Sequence, residues 1–167
     1  MRRFYHWLTI GIVSGLLLTG CTARSLKVPD LVANSAVLEN GQSSHITVQH
    51  ILIGFDGSVQ GKEITRSQTE AQTLAMEVLE AAQSGDNFDQ LVEEHTDDSA
   101  PGIYHLANKG QASEKIRSKP LQSVFPRGDM VAAFGDVGFP LEVGEVGLAK
   151  YDPQTSPFGW HVIKRIH

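Results

Sequence analysis

The sequence predicts an α+β domain, and three stretches predict it. Val48-Gln49-His50-Ile51-Leu52-Ile53-Gly54-Phe55 and Phe158-Gly159-Trp160-His161-Val162-Ile163 are short, apolar and rich in β-branched residues, the signature of buried strands. Between them Ala71, Leu74, Ala75, Val78, Leu79 and Ala82 recur at helical spacing and form one apolar face. Strands near both ends with helices between them give segregated elements rather than alternating βαβ units. Each strand places an imidazole among aliphatic side chains, where buried strands seldom carry one. Singly, each reads as a satisfied core histidine; as a pair, they suggest two histidines meeting in one sheet.

The elements follow in order. The first strand is expected from about His45 to Phe55, ended by the turn signal Asp56-Gly57-Ser58, with Gly61 extending the loop to Thr65. Ser67-Gln68-Thr69-Glu70 has the pattern of a capping box, and Ser84-Gly85 marks the far end of that helix. A shorter helix follows, capped by Asp86 or Asn87, with Phe88, Leu91 and Val92 on its buried side and its end near His95-Thr96. From Ser67 to Asn108 there is no Lys or Arg, which reads as a solvated acidic face. Asp97-Asp98-Ser99-Ala100-Pro101-Gly102 is a tight polar loop, and Ile103-Tyr104-His105-Leu106 a short strand.

Ala107 to Gly128 reads as a long irregular connection in which Lys109, Lys115, Arg117, Lys119 and Arg127 face only Glu114. It is either a solvated insertion or a basic loop that steers acidic segments toward a nearby site. Asp129 to Phe134 is expected to be a short helix capped by Asp129 and closed near Gly135 or Gly138, with Met130 and Phe134 on one face. Val146 to Tyr151 and Gly159 to Ile166 read as a closing pair of strands, punctuated by Asp152-Pro153 and Ser156-Pro157.

Length and charge narrow the possibilities. At 167 residues, 41% of them hydrophobic, one domain with a real core is expected, and the net charge of −5 argues against a general nucleic-acid binder. The N-terminus reads as a targeting segment: Arg2 and Arg3, then an apolar run from Trp7 to Leu18 that is short for a membrane span. Leu18-Thr19-Gly20-Cys21 resembles a bacterial lipobox, and Cys21 is the sole cysteine, so no internal disulfide is available. The expected organisation is a lipoprotein signal peptide at 1–20, a lipidated Cys21 and tether over 21–44 with a helical turn around Leu31–Leu38, and a domain at 45–167. Acyl chains on Cys21 would hold the protein at the cell envelope. Thr22 rather than Asp after the cysteine favours the periplasmic side of the outer membrane if the host is Gram-negative.

Several chemistries are excluded by pattern. There is no phosphate-cradling glycine loop, no zinc-helix histidine spacing and no serine on a nucleophile elbow. Neither a cofactor nor a metal is expected. Two strand histidines, an aspartate loop and a Met/Phe face remain.

Those pieces resemble a parvulin-type peptidyl-prolyl isomerase domain. The matching segments are Val48-Gln49-His50-Ile51-Leu52, Ser84-Gly85-Asp86-Asn87-Phe88, Thr96-Asp97-Asp98-Ser99, Gly128-Asp129-Met130 with Phe134, Leu141-Glu142-Val143-Gly144-Glu145-Val146, and Phe158-Gly159-Trp160-His161-Val162-Ile163. They occur in family order across nearly all of 45–167. The resemblance implies a four-stranded antiparallel sheet surrounded by about four helices, with the long insertion before the last short one. It implies His50 and His161 on neighbouring central strands, Asp98 as the polar residue opposite them, and Met130, Phe134 and Phe158 around the proline ring. Most members carry a Gly-Gly-Asp-Leu-Gly tract after the polar loop. Here Gly102-Ile103-Tyr104 stands near that place, with Tyr104 in the role of the tract's leucine.

Two functions follow from the resemblance. One is an isomerase rotating Xaa-Pro bonds in unfolded or exported polypeptides. The other is a chaperone or peptide-binding module of the same fold with little or no catalysis, which the altered tract keeps open. The short loop 56–65 has no basic cluster, which argues against phosphate-dependent substrate choice. The expected partners are proline-containing polypeptides and, through the lipid, a membrane; a monomer is expected.

Overall fold

Alternation along the first strand, β1 (His45–Ile53), sorts the core into two faces. The computed structural model describes residues 35–114 and 120–167. The expected signal peptide, Cys21, the expected turn around Leu31 and the basic residues Lys115, Arg117 and Lys119 therefore lie outside the described residues. On one face Ile51 and Ile53 pack with Trp160 and Val162 under two helices, α1 (Gln68–Gln83) and α2 (Phe88–His95). On the other, Ile46 and Val48 pack with Leu106 and Ile163 against Phe134 and Phe139. Phe134 belongs to a third helix, α3 (Ala132–Gly138). Gly138 lets α3 sit close on the sheet: a methyl there would already touch Ile46 and Val48 at 3.5 Å.

The sheet is completed by β2 (Ile103–Ala107), β3 (Val124–Pro126), β4 (Val146–Ala149) and β5 (Trp160–Arg165). Its order is β3-β2-β1-β5-β4, antiparallel except for β3, which runs parallel to β2. Five strands with one parallel edge thus replace the expected four antiparallel ones. The fifth comes from the segment read as irregular: Val124–Pro126 runs alongside β2 in the same direction, and Pro126 is tolerated because the strand ends there at the sheet edge. Likewise, the described residues hold three α-helices and two 3₁₀ turns, Pro120–Gln122 and Arg127–Asp129, rather than about four helices.

Local signals explain most helix ends. Ser67 and Glu70 close the capping box of α1, with Ser67 N–H donating to the Glu70 carboxylate at 2.7 Å. Asn87 caps α2 by accepting from the Asp89 and Gln90 amides. The third helix departs from expectation: Asp129 falls in the 3₁₀ turn, Met130 is extended, and Val131 occupies the N-cap with no side-chain cap bond. Pro126 fixes the entry to that turn, which delays the helix to Ala132.

Residues 35–44, read as tether, fold onto the domain. Asn40-Gly41 makes a turn, with Gly41 at φ 79°, that brings Val37 opposite Ser43. The Ser35 hydroxyl donates to His45 O at 2.7 Å, and Ser44 O accepts from Asn108 N–H at 2.8 Å. Among the described residues no helix is long and apolar enough to cross a membrane.

Candidate functional site

Register puts the two histidines together. In the β1–β5 pair Leu52 stands opposite His161 and His50 opposite Ile163. His50 and His161 are therefore diagonal neighbours on the α3 face, a separation that rings can span. Their Nδ1 atoms lie 3.2 Å apart and both residues are buried. Phe134 meets both rings edge-on, at 5.0 Å from His50 and 5.6 Å from His161.

Asp98 is brought to them by a loop stitched to β1. Thr96 Oγ1 accepts from the amides of Leu52 and Asp98, and Asp97 N–H donates back to Leu52 O at 2.8 Å. In that position Asp98 Oδ2 accepts from His50 Nε2–H at 3.0 Å and from the Tyr104 hydroxyl at 2.9 Å. Gly102, after the same loop, accepts from His50 N–H at 2.9 Å. It has φ +67°, and any Cβ there would run into the His50 carbonyl.

These contacts set the charges. The hydrogen bond from His50, helped by its attraction and by bonds from the Ser99 amide and Tyr104, lowers Asp98 to about 2 against the opposing effect of burial. Asp98 is thus a held carboxylate at neutral pH. Burial, with some repulsion from His50, lowers His161 to about 3, so its ring is neutral. Burial and the Asp98 charge raise Tyr104, which keeps its proton and remains a donor. His161 Nε2 is buried and makes no hydrogen bond among the described residues.

A cavity of about 310 Å³ opens over this network. His50, Asp98, Tyr104, His161 and, from the 3₁₀ turn, Asp129 supply its polar lining, and Met130, Phe134 and Phe158 its apolar side. All the domain residues singled out in the sequence therefore meet at one place. Met130 reaches it although it precedes α3 rather than belonging to it. Leu52, Val59 and Val131 also line it and were not foreseen. Leu52 was within reach of sequence reasoning, being two residues from His50 on the same face; Val59 carried no signal.

The loop after β1, which carries Val59, is closed by a clamp. Asp97 pairs with Arg66 and accepts Gly54 N–H at 2.7 Å, while Arg66 donates to Gly54 O at 3.0 Å. Ser58 then donates to the Phe158 carbonyl at 2.9 Å, tying that loop to the aromatic wall. Within the basic insertion, Arg127 is committed to the fold: it pairs with Asp136 at 2.6 Å and bonds Gln42 and Asn108.

Comparison with known proteins bears on the family and the fold. The chain is 31% identical over 154 residues to a protein named Chaperone SurA of Thiobacillus denitrificans, covering 92% of this chain and 29% of that protein. It is 30% identical over 101 residues to a Foldase protein PrsA of Halalkalibacterium halodurans, covering 60% of this chain and 25% of that one. The chain thus spans less than a third of the length of these relatives. The solution structure of TbPIN1 shares the fold, with a TM-score of 0.54 at 17% identity, over 74% of this chain and 98% of that one. A family model described as the PPIC-type PPIase domain matches residues 35–166, taking in the hairpin before β1. The chain belongs to the PPIC-type, or parvulin, peptidyl-prolyl isomerase domain family.

Proposed function

We propose that this protein catalyses non-covalent cis–trans rotation of Xaa-Pro bonds in exported polypeptides, as a folding helper held at the cell envelope through Cys21. The observation that carries this reading is a single cavity with an apolar cup, Met130, Phe134 and Phe158, facing the fixed polar network of His50, Asp98, Tyr104 and His161. A prolyl bond crosses a barrier of about 18–20 kcal/mol through a twisted amide in which nitrogen and carbonyl are uncoupled. No bond breaks, so no nucleophile is required. Asp98 is suited to holding rather than attacking, because its carboxylate is already occupied by several donors. The apolar cup takes the proline ring and strips water from the amide, which weakens the resonance that keeps it planar. The polar wall is preorganised for the twisted form, and binding that form better than either planar isomer lowers the barrier. The names chaperone and foldase borne by the relatives support a role in folding.

The test is cis-to-trans isomerisation of short Xaa-Pro peptides by the purified full-length chain, with Glu or Leu before the proline. Acceleration is expected, reduced about tenfold in kcat/KM by Met130→Ala, equivalent to ~1.4 kcal/mol of lost transition-state contact. No acceleration, with the peptides still bound, would overturn catalysis and leave the second reading, a peptide-binding module. That second reading draws on Gly102-Ile103-Tyr104 standing in place of the glycine-rich tract of the parvulin pattern that this sequence resembles. Anchoring is tested separately: Cys21→Ser is expected to move the protein from the membrane to the soluble fraction.

A further inference from the structure

Tyr104 is a wall of two cavities, not one. Its ring packs both on Phe134 of the first site and on Phe125 of β3, each at 5.9 Å between centroids. The second cavity, about 340 Å³, lies beyond it, walled by Pro101, Ile103, Tyr104, Leu121 and Phe125, with no charged residue in its lining. Leu121 is 54% exposed at its edge, one of few large apolar side chains so exposed among the described residues. It is held there through its backbone. Thr47 donates from Oγ1 to His105 Nδ1 at 2.8 Å, and His105 Nε2–H donates to Leu121 O at 3.2 Å. Burial lowers His105, which keeps the ring in the neutral form that relays this bond. The insertion therefore presents an apolar side chain to solvent at a fixed position beside the first site.

We propose that this second cavity is a subsite for an aliphatic or aromatic side chain of the same polypeptide whose proline occupies the first, two residues along from that proline. The proposal rests on the functional reading above and adds its sequence preference. An extended chain returns to the same face every second residue, after about 6.6–7 Å. One shared ring between the cavities suits that spacing. The size fits a Leu or Phe side chain, and the lining offers a charged side chain nothing to offset its desolvation. Both Leu121 and Phe125 come from the segment that follows β2, so the insertion gives this chain a selectivity that the proline cup alone does not supply.

The experiment uses the purified full-length chain and peptides with a constant Xaa-Pro pair, carrying Ala, Leu, Phe or Lys at either position two residues from the proline. The wild type is expected to favour Leu or Phe over Ala on one side by about tenfold in kcat/KM, the usual gain from burying a few methylenes. Leu121→Asp is expected to collapse that ratio, and Leu121→Ala to reduce it. Equal kcat/KM across the series, or a preference that survives Leu121→Asp, overturns the subsite and leaves the isomerase standing. If no peptide is turned over, the functional reading fails by itself, and affinities of the same labelled peptides decide the subsite. A Leu preference lost in Leu121→Asp supports it, and equal affinities overturn it.

Discussion

His50 and His161 meet through like atoms, Nδ1 to Nδ1 at 3.2 Å. One proton serves that bond, and His50 spends its Nε2–H on Asp98. The charge state of either ring therefore constrains the other, and the neutral form of His161 fixes how the pair behaves in acid.

His161 is expected to resist protonation. Its folded value, about 3, lies below the ordinary 6.5 because of burial. Below pH 6.5 the unfolded chain takes up a proton that the folded chain refuses, so this contribution to stability is complete above that pH and declines toward pH 3. The decline is at most about 1.4 kcal/mol per pH unit. Urea midpoints at pH 7 and pH 5 check it: the acid loss is expected to be smaller in His161→Leu. A His161 C2–H resonance that titrates near pH 6.5 would contradict it.

Tyr104→Phe removes one donor from Asp98 Oδ2 and nothing from the ring packing. The Asp98 carboxyl, at about 2 in the wild type, is expected to move up toward 3.8, followed by its carbon resonance. Because its folded value is depressed, Asp98 stabilises the fold above about pH 3.8, and that contribution fades as the pH falls toward 2. The variant is expected to lose about 1 kcal/mol at neutral pH, the ordinary worth of one such bond.

Asp97→Ala is expected to destabilise more than Arg66→Ala. Both break the ion pair and each frees one Gly54 group, but Asp97→Ala strands the Gly54 N–H, whereas Arg66→Ala frees the Gly54 carbonyl, and an unpaired buried N–H is tolerated less than an unpaired carbonyl. The difference is expected at about 1–3 kcal/mol, read from denaturation midpoints. Equal losses would show that the Gly54 amide finds another acceptor.

Gly102→Ala is expected to damage both the fold and the site. A positive φ of 67° and the His50 carbonyl in the path of any Cβ act together. The conformational part alone costs about 1–2 kcal/mol, and relief of the collision displaces His50 from Asp98. Thermal unfolding and the Asp98 carboxyl titration report the two effects separately.

Much of this molecule could be read from its residues. β1, α1 and α2 announce themselves because their signals are local: alternation around His50, the Ser67–Glu70 box and the Asn87 cap. The site residues were reachable by family order, and register then explains why they converge. What could not be read is non-local. Val124-Phe125-Pro126 is too short to show a period, and its parallel pairing with β2 depends on where the chain returns. Asp129 has the chemistry of a cap, yet the backbone after Pro126 places it in a 3₁₀ turn before the helix begins. The second cavity is walled by Phe125 of that strand, so it was invisible for the same non-local reason.

The central pairing of β1 with β5 sets Ile51 opposite Val162, more than a hundred positions along the chain. Closing a loop of that length costs on the order of 4 kcal/mol of chain entropy before any contact rewards it. Non-local pairings of this kind slow folding relative to helical domains. The two histidines sit on those very strands, so the cavity has no early, half-built version with partial competence. Whatever rate governs the arrival of β5 beside β1 also governs when a newly made copy first possesses the cavity.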